Sequence, residues 1–165
     1  MLKRLSLFAA LVLITFFGFV PFVSAATTGT VTATVTAQNI SISVADGGIS
    51  YGTLALGASK DTTASGLNDT QTATNTGNVA EDFTIKGSNS ADWTLGATSG
   101  SEQYVHEFST NSGSLWTALT TSDQSLASNI TSSGTKQFDL KITVPTSTAA
   151  TGAENVDVTI TASAH

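Results

Sequence analysis

Two histidines, twelve carboxylates, many hydroxyls and no cysteine are what this 165-residue chain offers to chemistry. His106-Glu107 begins like the His-Glu-x-x-His helix of a zinc protease, which needs two imidazoles on one helical face. Thr110 stands where the second imidazole must be, and the local alternation is that of a strand. His165 lies at a chain end, where side chains fray. Serines are plentiful, yet no Gly-x-Ser-x-Gly elbow presents one as a nucleophile. Glu81 and Asp82 adjoin in a strand pattern, so they point to opposite faces and cannot act on one substrate. These patterns lead us to expect no catalytic activity and no organic cofactor.

Binding chemistry has more candidates. Asp46, Asp61, Asp69 and Asp92 lie near turns and could contribute to a calcium site, although aspartate at a turn also serves the turn itself. Asn39-Ile40-Ser41, Asn68-Asp69-Thr70 and Asn129-Ile130-Thr131 match the N-glycosylation sequon. Trp93, Trp116 and Tyr104, with Phe108, could form a platform for stacking on a glycan. The same aromatics at strand positions serve equally well as core.

The chain that carries these residues opens with a leader. Lys3 and Arg4 precede an apolar run from Leu7 to Val20, and Pro21 breaks it ahead of Val23-Ser24-Ala25. Small residues at the −3 and −1 positions suit a signal peptidase, so residues 1–25 are expected to be a cleaved signal peptide and the remainder secreted. The run falls short of the roughly 18 apolar residues of a spanning helix. The formal charge is −6 over the whole chain and more negative once Lys3 and Arg4 are removed. The only arginine goes with the leader, so phosphate contacts to nucleic acid and attraction to anionic lipid are both disfavoured. About 140 residues remain, the size of one domain.

Period-2 alternation dominates those residues, and no window of helical length shows a 3.6 period. Phe138, Leu140, Ile142 and Val144 alternate with charged and polar residues until Pro145 stops the pattern. Val156, Val158, Ile160 and Ala162 repeat it. Further strands are expected over Ile49–Leu56, from Val79 to Ile85 after an Asn75-Thr76-Gly77-Asn78 turn, at Trp93–Leu95, and around Leu126 and Ile130. Residues 103–109 and 114–120 should form a hairpin across Asn111-Ser112-Gly113. Residues 57–76, small and polar, read as an edge strand plus a mobile loop. Eight or nine short strands separated by turns imply an all-β, antiparallel sandwich.

The first strand pattern contains a fault. Val31, Ala33, Val35 and Ala37 are odd-numbered, whereas Ile40, Ile42 and Val44 are even. A one-residue slip turns every side chain to the other face, so one regular strand cannot bury both sets. Either a bulge or a crossing between sheets absorbs the flip at Gln38-Asn39, or residues 26–39 form an N-terminal arm that pairs elsewhere. In the second case Val31, Ala33 and Val35 would set the arm's register, and residues 40–165 would be the sandwich.

Ile49-Ser50-Tyr51-Gly52-Thr53-Leu54, then Asn75-Thr76-Gly77-Asn78-Val79-Ala80-Glu81-Asp82-Phe83, then Trp93-Thr94-Leu95 resemble the immunoglobulin-like domains of prokaryotic surface proteins. The stretch from Pro145 through Gly152 to Val156-Asp157-Val158-Thr159-Ile160 is similar to their closing hairpin. Two groups come nearest: camelysin-like biofilm fibre subunits and, through Trp93-Thr94-Leu95, WxL cell-wall-binding domains. The resemblance implies an immunoglobulin-like sandwich and a non-enzymatic structural or adhesive role at the cell surface. Its partner would be itself, in a filament built by strand addition, or another envelope component. The alternative it implies is a module binding glycan or cell wall.

Overall fold

The computed structural model describes residues 28–165, and every regular element among them is a β-strand. The leader expected over residues 1–25 lies outside the described residues. Residues 28–35 contain no strand, and the unit Thr36–His165 holds all ten: β1 (Ile42–Ala45), β2 (Ser59–Asp61), β3 (Gln71–Asn75), β4 (Glu81–Gly87), β5 (Thr94–Leu95), β6 (Gln103–Ser109), β7 (Thr117–Ala118), β8 (Gln124–Ile130), β9 (Thr135–Thr143) and β10 (Val158–Ala164). They form two sheets. The larger runs β1-β3-β9-β6-β5, with β2 also on β9 and β7 on β6, and the smaller runs β10-β4-β8. All strand pairs are antiparallel except β5 with β6.

Alternation places the core between the sheets. In β4 the buried positions are Glu81, Phe83, Ile85 and Gly87, while Asp82, Thr84 and Lys86 are half-buried on the other face. Phe83 and Ile85 meet Phe108, Phe138, Leu140 and Leu126 from other strands, and Leu119 just after β7. Each such side chain contributes about 1.5–3 kcal/mol on leaving water. Strands β6, β8 and β9 fall where the sequence pattern puts them, and β6 with β7 makes the expected hairpin through Glu107↔Ala118 and Phe108↔Thr117.

Four expectations need correction. Residues 49–56 form no strand, because left-handed backbone at Asp46, Gly47, Gly52 and Gly57 (φ 70°, 64°, 72° and 72°) interrupts any extended run there. Residues 57–76 hold more than an edge strand and a loop: β2 pairs with β9 alone, but β3 lies between β1 and β9 and buries Gln71, Ala73 and Asn75. The stretch from Pro145 to Val158 is not a hairpin, since β9 and β10 belong to different sheets. Val31–Ala37 is not in a strand of this chain.

The turn between β3 and β4 joins one sheet to the other and shows why its residues are Asn-Thr-Gly-Asn. Asn75, fully buried, donates from Nδ2 to the carbonyls of Val79 and Ile130 at 2.8 Å each, and its Oδ1 accepts the Gly77 N–H at 2.8 Å. Every side-chain polar atom of this core residue therefore has a partner, as burial demands. A Cβ at Gly77 would collide with the Asn39 carbonyl and with Glu81 Oε1, so only glycine lets residues 39–41 lie this close. Asn78 then clamps them. Its Oδ1 accepts from Asn39 N (2.8 Å), its Nδ2 donates to the Ala37 carbonyl (2.8 Å), and its N–H reaches the Asn39 carbonyl (3.0 Å).

Candidate functional site

Among the described residues, β10 pairs with β4 on one side and with no strand on the other. Beside that open edge is a groove of about 1130 Å³. Its floor is the inward row of β9, Phe138, Leu140 and Ile142, continued by Val144; one wall is Val158 and Ile160 of β10. The opposing wall is the segment 47–56 that follows β1, and residues 150–157 border it as well. The groove thus runs over core side chains that its walls leave almost wholly buried.

One end of the groove is polar. Tyr51 reaches in from the 47–56 segment, and its hydroxyl lies 3.1 Å from Nε2 of His106 on β6, with the rings edge-to-face at 6.0 Å. His106 is 2% exposed, and its Nδ1 has no partner. Burial pulls its pKa down to about 4, so the imidazole is neutral. Burial, with help from Asp69 and Asp61, raises the Tyr51 hydroxyl above its usual range, so it too stays neutral. Neither group is activated for acid–base work near neutral pH. The pair is a hydrogen-bonded hook between two segments.

The three aromatics considered for glycan stacking do not share a surface. Trp93 borders the groove, donates from Nε1 to Thr148 Oγ1 at 2.9 Å, and packs on Tyr104 at 6.1 Å. Tyr104 is fully buried, its hydroxyl bonded to the Ser88 carbonyl and its pKa pushed up to about 12 by burial. Trp116 lies under Lys141 Nζ, 4.8 Å from the ring centre, and Lys141 also pairs with Glu107 at 2.6 Å. Lys141 alternates with the inward Leu140 and Ile142, which puts Trp116 on the outer face of the sheet.

Among the turn aspartates, Asp61 accepts bonds from Thr63 and Asp69 accepts one from Gln71 Nε2. Asp92 sits beside Glu154, whose charge raises its pKa. No group of three metal-binding side chains occurs among the described residues. The arm residues look quite different: Val31 and Val35 are 92% and 93% exposed, and Ala33 between them is exposed too.

The sequence did not reveal the Tyr51–His106 contact, the Asn78 clamp or the buried Glu81. The first two join residues 55 and about 40 positions apart, and no periodicity encodes such distances. Glu81 carried a signal, being in phase with Phe83 and Ile85. Its Oε1 accepts the Ser41 N–H at 2.9 Å, while its Oε2 is buried without a partner.

No family model, no curated protein and no solved structure matches the chain.

Proposed function

We propose that this protein is an exported, non-enzymatic structural subunit with an immunoglobulin-like sandwich, which assembles by adding the arm of one copy to the sandwich of the next. The observation that carries this reading is a pairing deficit with its complement in the same chain. Among the described residues, β10 offers a row of unpaired backbone groups along a sheet edge, flanked by a groove with an apolar floor. Residues 28–37 offer a strand-competent sequence that pairs in no sheet here and carries the exposed Val31, Ala33 and Val35 at alternate positions.

Backbone ladders supply the affinity in this recognition mode, and alternate side chains entering the groove supply the register. The arm's side chains are small, as a seam between two packed sheets requires. A head-to-tail joint of this kind yields open filaments when its rotation does not close. The acidic surface and the leader fit a location outside the cytoplasm. The scattered aromatics give a glycan platform no comparable support.

Deleting residues 27–37 tests the reading. The mature chain should form filaments by light scattering and electron microscopy, and the truncated one should stay monomeric. A full-length chain that remains monomeric at high concentration, or a truncated one that still polymerises, overturns it.

A further inference from the structure

The groove's wall at residues 48–56 is the feature that strand addition alone does not explain. Residues 48–56 run along the groove as an unpaired strap. Among the described residues, no backbone N–H of this stretch finds a partner, and only the Ala55 carbonyl accepts a bond, from Ala58. Backbone groups in this condition stabilise a conformation only through water. The strap is held by Ile49 packing against the core and by the Tyr51 hydroxyl on His106. Its ends are hinged by left-handed residues, Asp46 and Gly47 before it and Gly57 after it, with Gly52 left-handed in the middle. Yet Ile49, Tyr51 and Thr53, at alternate positions along it, are residue types that favour a strand.

We infer that residues 48–56 are a gate. In the free subunit they wall the groove as a strap latched by Tyr51 and His106, and when an extended segment enters they straighten and pair with its outer edge. The inference rests on the strand-addition reading and deepens it: the incoming arm is flanked by β10 on one side and by the gate on the other. Both of its backbone edges are then paired, so the joint leaves no exposed ladder between subunits. Breaking the latch is the barrier to entry. The strap's own unused N–H and C=O groups are the gain that follows. The left-handed backbone at Gly52 must convert to extended backbone, which glycine does freely.

Two variants act on the gate through different physics. Tyr51→Phe removes the latch hydroxyl and keeps the ring. Gly52→Ala penalises the left-handed strap while favouring the extended form, and a Cβ there meets nothing within 4 Å. The probe is a synthetic peptide of residues 27–37, added to the mature full-length chain below its assembly concentration. Hydrogen exchange by mass spectrometry reads the strap and β10 separately. In the wild type the peptide should protect both 48–56 and 158–164. Each variant should raise the peptide association rate about fivefold, the effect of one net hydrogen bond.

If the peptide protects 158–164 but leaves 48–56 exchanging as before, the gate is wrong and strand addition stands. Association rates that stay unchanged in both variants likewise overturn the gate alone. If the peptide does not bind and the chain does not assemble, both proposals fall.

Discussion

His106 shows how much one side chain's surroundings matter at the residue scale. Its pKa is lowered by burial alone, with no charged partner. The unfolded chain has an ordinary histidine near 6.5, the folded one a histidine near 4. Between those values the unfolded state binds more protons, so folding stability is intact above pH 6.5 and falls as pH drops towards 4. The full effect is about 3 kcal/mol, since each tenfold change in proton affinity is worth about 1.4 kcal/mol. His106→Gln should flatten this part of the stability profile. Urea midpoints of both proteins at about pH 7, 5.5 and 4.5 measure it, and parallel profiles would show that His106 charges without unfolding anything. Exposed carboxylates titrate in both proteins and cancel in the difference. The half-buried Asp82, held low chiefly by the Asn129 N–H, cancels in the same way.

The turn from β3 to β4 is the element whose sequence and structure agree most closely. Asn75→Ala would leave the Val79 and Ile130 carbonyls and the Gly77 N–H without partners in the core. We expect a loss of about 3 kcal/mol, since each orphaned buried group costs roughly 1–3 kcal/mol. Gly152→Ala, where a Cβ meets nothing, should be near neutral in the same denaturation series. The turn was legible because Asn-x-Gly chemistry is local. So were β6 and β8, set off by turn residues, and β9, whose apolar residues alternate against charged and polar ones. β3 was not, because its buried residues are Gln71, Ala73 and Asn75, polar or small, and hydropathy does not register hydrogen-bonded burial. The strap failed in the opposite sense: Ile49, Tyr51 and Leu54 read as strand residues, but glycines at 47, 52 and 57 let the backbone turn left-handed. The groove was illegible altogether, since it is the absence of a strand beside β10 and depends on which sheet each distant strand joins.

The whole molecule carries a formal charge of −6, and in the assembly proposed above identical copies must approach closely. Raising ionic strength from about 0.01 to about 0.15 M shortens the screening length from about 30 to about 8 Å. The lag before filament growth should therefore shorten with added salt, as light scattering at the two ionic strengths would show. An unchanged lag would mean that strap opening, not repulsion, limits encounter. The clamp at Asn78 has a different consequence. It grips residues 37–39 at the turn between β3, which belongs to one sheet, and β4, which belongs to the other. A tensile load arriving along the arm is therefore delivered to both sheets at once. Peeling a single strand from its neighbour would not relieve that load, so each subunit in a stretched thread should yield as a block and not by unravelling.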